Sequence, residues 1–167
     1  STTVVIIGVA RGGTSLVAGS LNCLGVFMGK SACTPVFEDR ELAEFISSNN
    51  IKKVTETINS YNKAHSIWGY KRPSTINELS NFYERFRNPI LIYVFRDLFS
   101  IANRNSISMN SDLSKNLADS LKEYNRIIEF HKRTPNYSLL LSYEKCLHNK
   151  EFFINELSNF IGINYTK

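Results

Sequence analysis

The sequence is poor in the features that mark several large protein classes. Its 167 residues include three cysteines, Cys23, Cys33 and Cys146. An odd number without metal-ligand spacing argues against a disulfide framework and fits a reducing, cytoplasmic compartment. A trimmed lumenal domain would share these features. Cys23, inside a predicted helix, reads as a small core residue. No His/Cys/Asp cluster has metal spacing, so no metal is expected. No apolar run approaches membrane-spanning length, and the first one is too short and too early for a signal peptide. Basic runs interleaved with aromatics are missing, which ranks nucleic acid low as a partner. Internal repeats and low-complexity linkers are missing as well.

What remains is the composition of an ordinary globular chain, 43% hydrophobic and 21% charged. The length suits one domain with a real core. The formal net charge of +5 favours anionic partners.

One more absence is specific. Val4-Val5-Ile6-Ile7 reads as a buried strand, Gly8 to Gly13 as a turn, and Thr14 onward as a helix. A strand delivered into a helix through glycines builds an anion site, because the first N–H groups of the helix lack partners and carry its positive dipole end. Gly8 and Gly13 have the separation of the glycines in a Walker A loop, yet Thr14 stands where that loop needs lysine. The only cation is Arg11, inside the turn. A nucleotide or small-molecule kinase would therefore lack the lysine that reaches the β/γ-phosphates. The plain alternative is a glycine turn made for tight packing.

The rest of the chain alternates strand and helix signals. The first helix ends at Gly25, and residues 26–37 form a loop. Helical spacing runs from Glu38 to about Lys63, with a break offered by Ser47-Ser48-Asn49-Asn50. Ile67–Lys71 is a short strand, and Ile76–Phe86 a helix. Ile90–Phe95 is a strand buried on both faces, followed by a helix from about Phe99. Asp112 caps a long helix to Arg133. Ser138–Tyr143 is a further buried strand, and Glu151–Ile161 a closing amphipathic helix. The expected fold is α/β: a P-loop-like three-layer arrangement with a mostly parallel central sheet flanked by helices. In such sheets ligands bind at the carboxyl ends of the strands. The 8–15 loop, the Trp68–Pro73 segment and Arg96 all fall there.

Together these segments resemble the sulfotransferases that use 3′-phosphoadenosine-5′-phosphosulfate (PAPS), closest to their bacterial and carbohydrate-type branches. Gly8-Val9-Ala10-Arg11-Gly12-Gly13-Thr14-Ser15 is similar to the family's 5′-phosphosulfate loop. Ile92-Tyr93-Val94-Phe95-Arg96-Asp97 resembles its 3′-phosphate strand. Leu140-Leu141-Ser142-Tyr143-Glu144-Lys145 resembles its Tyr-Glu-Asp segment, and Phe160-Ile161-Gly162-Ile163 the Phe-Leu-Gly-Leu that follows. Trp68-Gly69-Tyr70-Lys71-Arg72-Pro73 and Phe37-Glu38-Asp39-Arg40-Glu41 resemble two segments of bacterial members. The chain departs from the pattern at Gly12 (usually Ser), Leu98 (Pro) and Arg72 (Asp). It departs again at Arg104, where the family carries a 3′-phosphate serine. The family's C-terminal glycine-rich loop has no match.

The resemblance implies a sulfuryl transfer from PAPS, leaving 3′-phosphoadenosine 5′-phosphate (PAP), to a hydroxyl or amine acceptor, with a carbohydrate first. No metal is required. Gly12, Gly13 and Thr14 would offer N–H groups to the 5′-phosphate, and Thr14 and Ser15 their hydroxyls. Arg11 would meet the charge that develops on the leaving oxygen, and Lys71 would sit over the sulfuryl oxygens. The alternative for Lys71 is a solvent-facing charge at a strand end. Arg96 has the planar fork for the 3′-phosphate, or else a structural carboxylate partner. Arg104 would be a second cation there, with Ser100 or Ser106 as substitutes. Tyr143 would flank the adenine or serve the core. Glu38 is the first candidate base, with Asp39, Glu41 and His65 as alternatives. His131 and His148 read as surface residues. A non-catalytic module that binds PAP stays open beside the kinase reading.

Overall fold

In the computed structural model, residues 1–73, 76–134 and 137–164 are described. Four strands, β1 (Thr2–Ile7), β2 (Ile67–Lys71), β3 (Pro89–Phe95) and β4 (Ser138–Ser142), form one all-parallel sheet in the order β2-β1-β3-β4. The register pairs Ile6 with Lys71, Ile7 with Tyr93, and Phe95 with Ser142. All four carboxyl ends therefore reach the same edge.

Alternation along the strands divides the core in two. Val5, Ile7, Trp68, Tyr70, Leu91 and Tyr93 face one side. There they meet α2 (Arg40–Ser47), α3 (Ile51–Ala64), α4 (Ile76–Phe82), α5 (Leu98–Met109) and α6 (Leu113–Arg133). Val4, Ile6, Ile92 and Val94 face the other side, against α1 (Thr14–Cys23), α7 (Tyr143–His148) and α8 (Lys150–Ile161). β1 and β3 are buried on both faces, as their continuous apolar runs require. The expected three-layer α/β architecture is the observed one.

The helix boundaries follow local chemistry. Asn50 caps α3 through Lys53 N, which explains the break in the long helical pattern. Asp112 caps α6 through Lys115 N at 2.7 Å. The helix expected over 76–86 stops at Phe82 and continues as one 3₁₀ turn, Tyr83–Arg85.

Three expectations are corrected. β4 is an edge strand with Leu140 55% exposed, not a strand buried on both faces. Cys23 is exposed at the last turn of α1, and the buried cysteine is Cys146, against α8. His131 is half-buried, its ring edge-on to Tyr93 with centroids 4.8 Å apart. Among the described residues, no helix is long and apolar enough to cross a membrane.

Candidate functional site

Each strand delivers one part of a single cleft of about 630 Å³. β1 opens into the Gly8–Gly13 turn, β2 ends on Lys71, β3 is followed by Arg96, and β4 by Tyr143. Arg11, Gly13, Thr14, Ser15, Glu38, Lys71, Arg96, Arg104 and Tyr143 all line it. The parallel sheet thus brings together residues that are far apart in sequence.

The turn is shaped by two unusual backbone conformations. Arg11 has φ 65° and Gly13 φ 92°, both left-handed. Gly13 is the N-cap of α1, and no side chain caps the helix there. The N–H groups at the start of α1 thus face the cleft. A side chain at Gly13 would collide with the Tyr143 ring. Only glycine satisfies both the left-handed φ and this close approach. Gly12 behaves differently from expectation. Its N–H donates to Val9 O at 2.9 Å, so it closes the turn and does not offer a free donor to the cleft. Thr14 is buried, with its methyl against Gly8.

Lys71 is only 2% exposed, which excludes the solvent-facing alternative. Its Nζ donates to Glu38 Oε1 at 2.9 Å and to Ser15 Oγ at 3.1 Å. Burial pulls the Lys71 ammonium below the ordinary lysine range, and the bond to Glu38 partly restores it. An ammonium held against the first turn of α1 adds a localised charge to the helix dipole.

Arg96 forms the other half of the cleft. Its Nη1 donates to Arg11 O at 2.9 Å, and its guanidinium lies over the Tyr143 ring at 4.6 Å. Its Nε is buried and has no hydrogen-bond partner. The Arg96 backbone is gripped by one phenol. Tyr124 OH accepts from Arg96 N and donates to Arg96 O, both at 2.8 Å. Asp97 does not pair with Arg96 as the structural alternative required. It caps α5 through Ser100 N at 2.8 Å, and its own N–H donates to Glu144 Oε1 at 3.0 Å. Arg104 is exposed on α5, and Ser100 lies with it along a groove that also holds Arg11 and Arg96. Ser106 is committed elsewhere: it donates to Ala102 O and accepts from Asn116 Nδ2 at 2.8 Å.

The alternative bases fall away from the cleft. Asp39 is buried, with its carboxylate bonded to Ser31, Leu42 N and Tyr61. Glu41 is exposed in the first turn of α2 and does not line the cleft. His65 precedes β2, at the opposite edge of the sheet, and stacks on Phe27 at 4.1 Å. Glu38 alone among the four faces the cleft.

Two residues of this assembly were not singled out from sequence. Tyr124 gives no signal there, because it looks like one more core position of α6. Glu144 lies inside the Tyr143-Glu144-Lys145 segment, whose aromatic residue is the stronger signal. A larger cavity, about 810 Å³, lies between α4 and α6. Lys122, Arg126 and Arg133 line it, but no glycine turn and no strand terminus do.

No family model matches the sequence, and no curated protein matches it. Solved structures do. The sulfotransferase domain of the Synechococcus PCC 7002 olefin synthase aligns with a TM-score of 0.68 at 12% identity, over 99% of this chain and 74% of that one. The sulfotransferase domain of the curacin biosynthetic pathway aligns at 0.66 and 14% identity, over 98% of this chain and 74% of that one. The fold is that of sulfotransferase domains. In this sulfotransferase fold the cleft of Arg11, Lys71 and Arg96 occupies the carboxyl edge of the sheet, where the sequence motifs had pointed.

Proposed function

We propose that the protein is a PAPS-dependent sulfotransferase, one domain that moves a sulfuryl group to a hydroxyl or amine of a carbohydrate by in-line displacement. The observation that carries this reading is the buried Lys71 ammonium beside the start of α1, with Glu38 at its side. The residues present fit a donor with two anionic ends. Arg96 has a buried, unpartnered Nε, and the N–H groups at the start of α1 are uncapped. Gly13, Thr14 and Ser15 would hold the 5′-phosphate, and Arg96 with Arg104 the 3′-phosphate. The ring of Tyr143, already stacked on Arg96, would form the wall between them.

PAPS supplies a sulfuryl group on a good leaving group, so the protein's work is positioning and charge stabilisation. Arg11 would stabilise charge on the leaving oxygen, and Lys71 charge on the sulfuryl oxygens. Glu38 would accept the acceptor's proton once Lys71 turns to the donor. Lys71 would then hold the donor in place of Glu38, and the freed Glu38 carboxylate would be the base. The free cysteines fit the cytoplasmic setting that is part of this reading.

Thermal shift with PAP against Mg·ATP is the direct test. PAP should raise Tm, and Arg11→Ala and Arg96→Ala should each weaken that rise. Stabilisation by Mg·ATP and not by PAP would overturn the reading in favour of a kinase. Stabilisation by PAP without transfer to any of a panel of glycans, sterols and amines would leave a binding module.

A further inference from the structure

Glu38 is followed by a carboxylate that the reaction does not use. Asp39 is 2% exposed, yet both of its oxygens are occupied. Oδ1 accepts from Ser31 Oγ at 2.6 Å and from Leu42 N at 3.3 Å, which also caps α2. Oδ2 accepts from Tyr61 OH at 2.5 Å. The Tyr61 oxygen accepts in turn from Lys30 N at 3.1 Å, and Ser31 Oγ accepts from Glu41 N at 3.0 Å. Gly29, at φ 116°, brings its backbone against Asp39 so closely that any side chain there would collide with the carboxylate.

These bonds close the 29–41 segment on itself and tie it to α3. Tyr61 also packs edge-on against Trp68 of β2, with centroids 5.2 Å apart, and β2 is the strand that ends on Lys71. Glu38 and Lys71 are therefore carried by two backbones joined through two contacts of Tyr61, its hydrogen bond to Asp39 and its edge-on packing on Trp68. A buried carboxylate is retained only where every lone pair it needs is satisfied. Its neighbour Glu38 inherits a fixed backbone.

We propose that Asp39 is a positioning residue. Clamped by Tyr61, Ser31 and the start of α2, it holds the Glu38 carboxylate within reach of Lys71 and of the acceptor. The inference rests on the reading of Glu38 as the base for its kinetic consequence. Its geometric content, that Asp39 sets the Glu38–Lys71 contact, stands apart from that reading.

The test uses the whole chain and two variants, Asp39→Asn and the milder Tyr61→Phe, each alone and combined with Glu38→Gln. The first readout is the titration of Lys71, followed by NMR with ¹³C-labelled lysine and assigned with Lys71→Met. Glu38→Gln removes the counter-charge and lowers the midpoint. Asp39→Asn and Tyr61→Phe lower it in the same direction, and neither lowers it further in the Glu38→Gln background. The second readout is turnover with PAPS. The Asp39 and Tyr61 variants lose about ten- to a hundredfold in kcat, the scale of a misplaced catalytic group, while PAP affinity stays within about twofold, since the sites for PAP lie on other segments. Their losses are not additive with that of Glu38→Gln. A wild-type Lys71 titration in both single variants, or additive losses in the double variants, overturns the inference. A Glu38→Gln variant with full kcat overturns instead the assignment of Glu38 as base, and leaves the titration result to judge Asp39. If Asp39→Asn does not fold, Tyr61→Phe carries both readouts.

Discussion

Lys71 Nζ and Glu38 Oε1 meet at 2.9 Å, but the two side chains live in different surroundings. The lysine side chain is 1% exposed and the glutamate side chain 25%. The charge that cannot reach water is the cation. Replacing it by an apolar residue of similar length removes a desolvation penalty, and Glu38 can rehydrate where it stands. Lys71→Met should therefore keep its Tm within a few degrees of wild type. The sulfuryl transfer proposed above should fall by about 10²–10³, the usual loss of one transition-state donor. Retained transfer in a folded Lys71→Met would remove Lys71 from the chemistry.

The same burial sets a pH dependence. The folded-state pKa of Lys71 lies below the ordinary lysine value, with desolvation as the main cause and Glu38 opposing it. In the window between the two values the folded chain binds fewer protons than the unfolded one. This group's contribution to stability therefore rises with pH across that window. Function moves the opposite way. The ammonium is lost earlier than for a free lysine, so turnover should fall on an alkaline limb that sets in below the ordinary lysine pKa. Glu38→Gln takes away the contact that raises the value and should move that limb to lower pH in the residual activity. A pH–rate profile of the two proteins, beside urea unfolding at several pH values, checks both signs.

Arg11 separates a backbone role from a side-chain role. Its φ of 65° lies in the left-handed region, which costs an arginine energy that glycine does not pay. Arg11→Gly should relax the turn and leave stability equal to wild type or higher by up to about 1 kcal/mol. It should nevertheless lose most of the rate of the proposed PAPS reaction. Arg11→Ala, which keeps the strain and loses the cation, should be no more active and less stable. Chemical denaturation and initial rates on the pair give the comparison.

Tyr124 tests how far Arg96 depends on its support. One hydroxyl satisfies both backbone groups of Arg96. Tyr124→Phe leaves an N–H and a carbonyl without partners, at about 1–3 kcal/mol of stability. PAP affinity should drop about three- to tenfold as the guanidinium loses its fixed origin. A stability loss with unchanged affinity, measured by calorimetry, would confine Tyr124 to the fold.

Much of this was legible in the sequence because the signals were local. A glycine turn after an apolar run, an asparagine or aspartate before a helix, and an apolar strand ending in Arg96 each carry their own cause. What failed was what depends on neighbours far along the chain. Ser138–Ser142 has the same unbroken apolar run as a central strand, but only Leu139 and Leu141 meet the α8 side, and Leu140 is left at an open edge. The apolar run suggests a strand through Tyr143, but Ser142 caps a new helix there. Gly12 looked equivalent to Gly13, but the turn that closes on Val9 takes up its N–H. Glu38 and Asp39 looked interchangeable by sequence. Tyr61 and Ser31 separate them, by engaging Asp39 and leaving Glu38 to Lys71.

The two halves of the cleft rise from β1 and β3, the adjacent central strands, paired from Thr3 with Pro89 to Ile7 with Tyr93. Their separation is the hydrogen-bonding pitch of a sheet, about 4.8 Å, and no loop substitution can change it. Mutations in the turn or at Arg96 can alter how firmly each end of a ligand is held. The register of the two strands fixes where the turn and Arg96 start, so the two halves of the cleft share one backbone origin.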